Sequence, residues 1–121
     1  MLVHSITQTI SRPSDWQQGG AEFWILSKIN GGNSWIGRYS GTSPWEMHPD
    51  GDEFFYLLDG EVEITLLVND TPERTVISSG QTFVIPRGVW HRQHSSCPVV
   101  MLGATTGETR HSVAENPHAE A

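Results

Sequence analysis

The chain has 121 residues, of which 14 are acidic and 7 are basic, giving a formal net charge of −7 at pH 7. The basic residues are scattered along the sequence, which argues against nucleic acid and anionic membrane surfaces as partners. The single Cys97 excludes an intrachain disulfide, no apolar run approaches the roughly 20 residues of a membrane span, and no targeting segment is recognisable at the start. We therefore expect a cytoplasmic protein.

The pattern of strands and turns predicts an all-β fold. Turn signals recur about every 8–12 residues, and no stretch has a sustained apolar period of about 3.6 residues. Strand-like stretches are expected at residues 2–10, 23–29, 35–39, 54–58, 61–68, 74–77, 82–85 and 99–102. Such an arrangement is typical of a sandwich or barrel. The length predicts one domain, residues 1–121, with a barrel core at about residues 20–103 and a polar C-terminal tail at residues 104–121.

The first stretch with recognisable chemistry is WEMHPDGDEFFYLLDG at residues 45–60. Side chains alternate along a strand, so Glu46 and His48 should share one face. The turn at residues 49–52 then reverses the chain and can place Glu53 on the adjacent strand beside His48. A carboxylate and an imidazole on neighbouring strands are a common beginning of a metal site.

The second stretch is GQTFVIPRGVWH at residues 80–91. Pro86 and Gly88 predict a stiff turn after a short strand, and His91 follows at the start of the next strand. His91 is therefore a candidate for the second imidazole of the same site.

Together the two stretches resemble the paired motifs of the cupin superfamily. The first family motif has His-x-His, three or four residues, Glu, six residues and Gly; this chain has Glu46, His48, Glu53 and Gly60 at those intervals. The second has Gly, five residues, Pro-x-Gly, two residues, His, three residues and Asn. Here Gly80, Pro86, Gly88 and His91 keep the spacing, and Ser95 replaces Asn.

The resemblance implies a single-domain conical β-barrel of jelly-roll type, with the metal site inside it and room for one small-molecule ligand. The similarity is greatest to small bacterial cupins of the "cupin 2" type, most of which have no assigned function. Because single-domain cupins commonly pair through their sheets, the resemblance also implies a homodimer.

One departure from the family motif concerns the metal ligands. Glu46 stands where the family has its first His, so the usual set of three His and one Glu becomes at most two His and two Glu. His48, Glu53 and His91 alone still match the two-His, one-carboxylate arrangement of non-haem iron sites. With Glu46 as a fourth ligand, the site would suit Fe, Mn, Ni or Zn as a divalent ion. Glu46 could instead be a catalytic base beside the metal, or a solvated carboxylate at the rim.

Two functions are consistent with this reading. The first is a metal-dependent enzyme of dioxygenase or isomerase type, in which oxygenation or metal-assisted proton transfer acts on a small polar or anionic molecule. The second is a non-catalytic binding or sensor cupin with a structural metal or none.

The other side chains of interest have simpler expected roles. Arg38 and Arg87 are the candidates to hold an anionic substrate. Most aromatic residues are expected in the core, with one or two in the pocket. The remaining histidines are expected to be exposed: His4, His94, His111 and His118.

Overall fold

The computed structural model describes residues 2–120 of the chain, with side chains for residues 2–118. The ends of the predicted 1–121 domain, residues 1 and 121, lie outside this part. The elements, in chain order, are α1 (Ile6–Thr9), β1 (Trp16–Gln18), β2 (Ala21–Ile29), β3 (Gly32–Thr42), β4 (Trp45–Met47), β5 (Glu53–Asp59), β6 (Glu61–Val68), β7 (Thr71–Ser78), β8 (Thr82–Ile85), β9 (His91–Thr106), β10 (Arg110–Ser112) and a 3-10 helix (Pro117–Glu120). The prediction of an all-β fold is confirmed, but the strand expected at residues 2–10 is wrong, because Ile6–Thr9 form a short helix capped by the Ser5 side chain.

The long strand β9 joins two parts of one curled antiparallel sheet. Its first residues pair with β6 on one side and with β4 and the end of β3 on the other. Its later residues pair with β3 and β5. Strand β7 extends the first part beyond β6, while β8 and β2 extend the second part beyond β5 and β3. The curl gives the sheet an inner face, where the core and the candidate site lie.

Most of the core consists of apolar side chains that alternate with outward-facing residues along β5, β6 and β9, and β7 and β8 each add one isoleucine. Leu57 and Ile64 are fully buried, whereas Phe54 on the other face of β5 is 41% exposed. This period of two is what a sheet with one buried face requires. The core cluster comprises Phe55, Leu57, Val62, Ile64, Ile77, Ile85, Val99 and Met101.

Two short strands outside the predicted core region add to the same sheet. Strand β1, which precedes residue 20, pairs with β2. Strand β10, in the predicted tail, pairs with β4 and sets His111 opposite Glu46. Among the described residues, none of the helices is long and apolar enough to span a membrane.

Candidate metal centre

Hydrogen bonds join the two chemical stretches to each other. The Gly88 amide donates to the His48 carbonyl at 3.0 Å, and the Arg87 amide donates to Asp52 Oδ1 at 2.8 Å. The Arg87 guanidinium also donates through Nε to the Pro49 carbonyl at 2.7 Å. Gly88 has a φ of 77°, which glycine adopts without steric cost. The turn is therefore held against the loop at residues 48–52.

Three predicted site residues come together at the inner face of the sheet. His48 follows β4, Glu53 begins β5 and His91 begins β9. His48 Nε2 lies 3.1 Å from Glu53 Oε2, and His91 Nε2 lies 3.5 Å from Glu53 Oε1. All three side chains are buried, and the two imidazole centroids are 5.0 Å apart. The sheet thus brings two imidazoles and one carboxylate into a single cluster.

The second nitrogen of each imidazole is held by a polar partner. His48 Nδ1 lies 3.0 Å from the Thr109 hydroxyl, and His91 Nδ1 lies 3.0 Å from the Val89 carbonyl. Because a carbonyl only accepts, His91 donates through Nδ1, which in the neutral imidazole leaves the lone pair on Nε2. Within residues 2–118, neither Nε2 atom has a partner in hydrogen-bonding geometry, although both are buried and close to Glu53.

Glu53 is held as a carboxylate. Burial alone would raise its pKa, but the adjacent His48 and His91 rings outweigh burial and hold the pKa at about 2. The Thr105 hydroxyl also donates to Glu53 Oε2. Glu53 is consequently ionised at neutral pH and offers a buried negative charge to the centre of the cluster.

The surroundings of His48 favour positive charge at this place. Burial by itself would lower the pKa of His48, but Glu53 and Glu46 outweigh burial and raise it. A divalent cation satisfies the same requirement, and it would also provide a partner for the two buried Nε2 atoms once they are deprotonated. The residues present therefore fit a divalent metal ion, and they form a candidate metal site.

Glu46 reaches the same cluster from β4. The ligand atoms of Glu46, His48 and His91 all lie within 4.8 Å of one another. Burial and the nearby charge of Glu53 raise the pKa of Glu46, an effect partly offset by His91, His111 and His48. Among the hydrogen bonds between described residues, none involves the Glu46 carboxylate, which makes it the least restrained carboxylate of the site.

A cavity of about 590 Å³ opens onto the cluster. Glu46, His48 and Glu53 line it, so a molecule in the cavity can contact three of the four predicted site residues. Tyr39 also lines the cavity. Burial, with the carboxylates of Glu46 and Glu53, raises the pKa of Tyr39, so its phenol is a proton donor at neutral pH. The aromatic side chains of the lining outnumber the one or two expected from sequence: Trp16, Phe23, Trp35, Tyr39 and Phe55.

Sequence reasoning missed the contribution of the tail to this site. His111 is exposed as predicted, but it lines the cavity opposite Glu46 on β10. Thr109, which supports His48, lies just before the same strand. The sequence Arg-His-Ser at residues 110–112 contains no β-branched residue and no Phe, Tyr or Trp, so it gives no signal for the strand or for its partner. His4, by contrast, is half-buried and hydrogen-bonded to Ser27.

The two arginines considered as anion clamps have other partners. The Arg38 guanidinium pairs with Glu22 at 2.9 Å and lies 5.0 Å from the centroid of the Trp24 ring. Arg87 is bound to the loop at residues 48–52. Neither lines the cavity.

The replacement of the family's Asn by Ser95 has a local effect, since the buried Ser95 hydroxyl donates to the carbonyl of Glu61 at 2.9 Å.

Comparison of the sequence with known proteins identifies a family and a relative of this chain. The model of the family described as "Cupin domain" matches residues 38–104, which contain both chemical stretches. The uncharacterised protein YdbB of Bacillus subtilis (strain 168) is 31% identical over 77 residues. The aligned part is 64% of this chain and 66% of YdbB, so the chain spans just under two thirds of that relative.

Solved structures share the fold at lower identity. A cupin-2 domain protein from Shewanella frigidimarina NCIMB 400 superposes with a TM-score of 0.71 and 19% identity, covering 87% of this chain and 95% of that one. Oxalate decarboxylase of Bacillus subtilis, which is described with Mn(II) centres, superposes with a TM-score of 0.70 and 15% identity. The match covers 85% of this chain and 30% of that one. These likenesses confirm the predicted jelly-roll β fold.

Proposed function

Because this chain belongs to the cupin domain family, we propose that it binds one divalent metal ion through His48, Glu53 and His91 and acts as a metal-dependent enzyme on a small polar or anionic molecule. The observation that carries the proposal is the pair of buried Nε2 atoms that converge on an ionised carboxylate without hydrogen-bonding partners in the described part of the chain. Two imidazoles and one carboxylate are the donor set of many divalent transition-metal sites.

The cavity supports an enzyme over a binding protein with a structural metal. Structural sites are closed by protein ligands, whereas catalytic sites keep a position open to substrate. His48 and Glu53 are proposed ligands, and both line the cavity, so a bound small molecule would reach the metal. The metal would supply Lewis-acid or redox chemistry, and Fe, Mn, Ni and Zn all suit the donor set.

The chain's own residues would position the substrate and move protons. Glu46 faces the cavity beside the proposed metal ligands, and burial and the charge of Glu53 raise its pKa, which suits a carboxyl group that exchanges a proton with a bound molecule. The Tyr39 hydroxyl donates to the weak acceptor Met101 Sδ at 3.7 Å, a hydrogen bond that it can exchange for a stronger one to a bound molecule. A homodimer and a cytoplasmic location stay predictions.

The proposal is tested by elemental analysis of protein purified without an affinity tag. We expect close to one metal ion per chain in the native protein and almost none in His91→Ala, because the variant lacks one imidazole donor. The matched control is His94→Ala, which removes an exposed imidazole from the same strand and should leave metal content unchanged. A native protein that is empty and cannot be reloaded would refute the metal site.

Thr109→Val should weaken metal binding while keeping every proposed ligand. The variant removes the hydroxyl that lies 3.0 Å from His48 Nδ1 and so frees the ring to change tautomer or orientation. Loss of such a supporting contact typically lowers metal affinity about 10- to 100-fold. Competition with a chromophoric chelator measures the affinity, and the exposed Thr71→Val serves as the control. Equal affinities in Thr109→Val and the native protein would contradict a supporting role.

A further inference from the structure

The cavity walls carry information about the substrate that the metal ligands do not. The four aromatic rings of Trp16, Phe23, Trp35 and Phe55 form a continuous series along one wall. Successive ring centroids are 4.8, 5.8 and 6.0 Å apart. Trp16 is 49% exposed, whereas Phe55 is 1% exposed, so the series runs from an exposed ring to a fully buried one, and all four rings line the cavity. We call these four residues the aromatic wall.

Two glycines make room for the aromatic wall. Gly103 pairs with both Trp35 and Phe55 across the sheet, and a Cβ there would collide with the Trp35 indole. Gly37 pairs with Phe23, and a Cβ there would lie 3.0 Å from the Phe23 ring. Ordinary side chains at these two inward-facing positions would displace the rings. The aromatic wall is thus built into the sheet, rather than formed by chance surface contacts.

Apart from histidines, the charged side chains that line the cavity are all acidic. Glu46 and Glu53 line it, and none of the seven Lys and Arg residues, all of which lie in the described part of the chain, does so. The two carboxylates balance the charge of one divalent ion. An anionic substrate would therefore add negative charge that no Lys or Arg neutralises, at close range in a partly buried site.

From these observations the geometry points to an uncharged molecule with a flat aromatic ring as the substrate, its ring against the aromatic wall and a polar substituent towards Glu46 and His48. This inference rests on the proposed function for the metal end of the cavity only. The volume of about 590 Å³ admits one or two fused rings. Stacked and edge-on ring contacts favour a flat aromatic body over a saturated one of equal size.

The test uses probes that share a ring and differ in charge. Isothermal titration calorimetry compares 2-naphthalenemethanol, 2-naphthoate and 2-naphthylmethylamine, with oxalate as a small dianion, on Zn(II)-loaded and metal-free protein. We expect the alcohol to bind at least about tenfold tighter than naphthoate to both forms, because a buried unpaired charge is costly. It should also bind at least about tenfold tighter than the amine to the Zn(II)-loaded form, in which the ion balances the two carboxylates and leaves an ammonium group unpaired. Equal or tighter binding of naphthoate or oxalate to either form, or of the amine to the Zn(II)-loaded form, would overturn the inference, as would no binding of the alcohol.

A pair of variants assigns the binding to the aromatic wall. Trp16→Ser removes the half-exposed ring of the aromatic wall and should lower the affinity for the alcohol several-fold. Phe54→Ser removes a comparably exposed ring on the other face of β5 and should leave that affinity unchanged. If Trp16→Ser binds the alcohol as tightly as the native protein does, the ring of the alcohol does not lie against the aromatic wall. Metal content is measured on each sample, so a chain that binds the alcohol but no metal fails the proposed function while supporting this inference.

Discussion

Glu53→Gln is expected to lower the affinity for a divalent metal at least about 100-fold, because loss of a ligand should exceed the roughly 10- to 100-fold cost of losing a residue that supports one. Glu53 is ionised at neutral pH, with a pKa held at about 2, and lies within 3.5 Å of both Nε2 atoms. Glutamine removes the charge. Its amide can also donate to a Nε2 lone pair, which would occupy an atom that the metal needs.

The measurement is metal affinity by competition with a chelator, accompanied by the unfolding temperature with and without metal. Native protein should unfold at a higher temperature when metal is added, since a ligand that binds only the folded state stabilises it. Glu53→Gln should remain folded and lose that increase. Glu61→Gln, an exposed carboxylate at the start of β6, is the control. Stoichiometric metal in Glu53→Gln would remove Glu53 from the ligand set.

The sequence indicates that His48, Glu53 and His91 lie together because each stands next to a recognisable turn, and because the two stretches resemble the paired motifs of one family. The turn after His48 fixes where Glu53 begins β5, and the turn at Pro86 fixes where His91 begins β9. Each turn is specified by a few residues with restricted backbone angles. Pairing of Glu53 with Ile85 then brings the two turns together. The fold class follows from alternation and turn spacing for the same reason.

The parts of the site that escape prediction depend on contacts between distant segments. Thr109 and His111 reach the cavity only because β10 pairs with β4, and three residues of tail sequence do not specify that partner. Trp16 joins the aromatic wall only because β1 folds back onto β2. Arg38 looked available in the sequence, but its pairing with Glu22 depends on the register between β2 and β3. The local sequence pattern around each of these residues does not predict which distant strand it will pair with.

Glu46→Gln is the change expected to separate metal binding from chemistry. We expect the variant to retain close to one metal ion per chain, because His48, Glu53 and His91 supply the proposed donor set without it. Ligating carboxylates are usually fixed by hydrogen bonds, whereas the Glu46 carboxylate has none to residues 2–118 and faces the cavity. As a proton acceptor it should be worth about 10²- to 10⁴-fold in turnover, which glutamine cannot replace.

Elemental analysis and the rate with any ring-bearing compound that the protein consumes give the two readouts. Glu63→Gln, a half-buried carboxylate on β6 outside the aromatic cavity, should change neither. Loss of metal in Glu46→Gln would instead make Glu46 a fourth ligand, whose negative charge completes the neutralisation of a divalent ion. Retained metal with unchanged turnover would exclude both roles and leave Glu46 as a carboxylate of the cavity rim. The three outcomes differ in measured quantities, so one variant decides between the roles that the sequence left open.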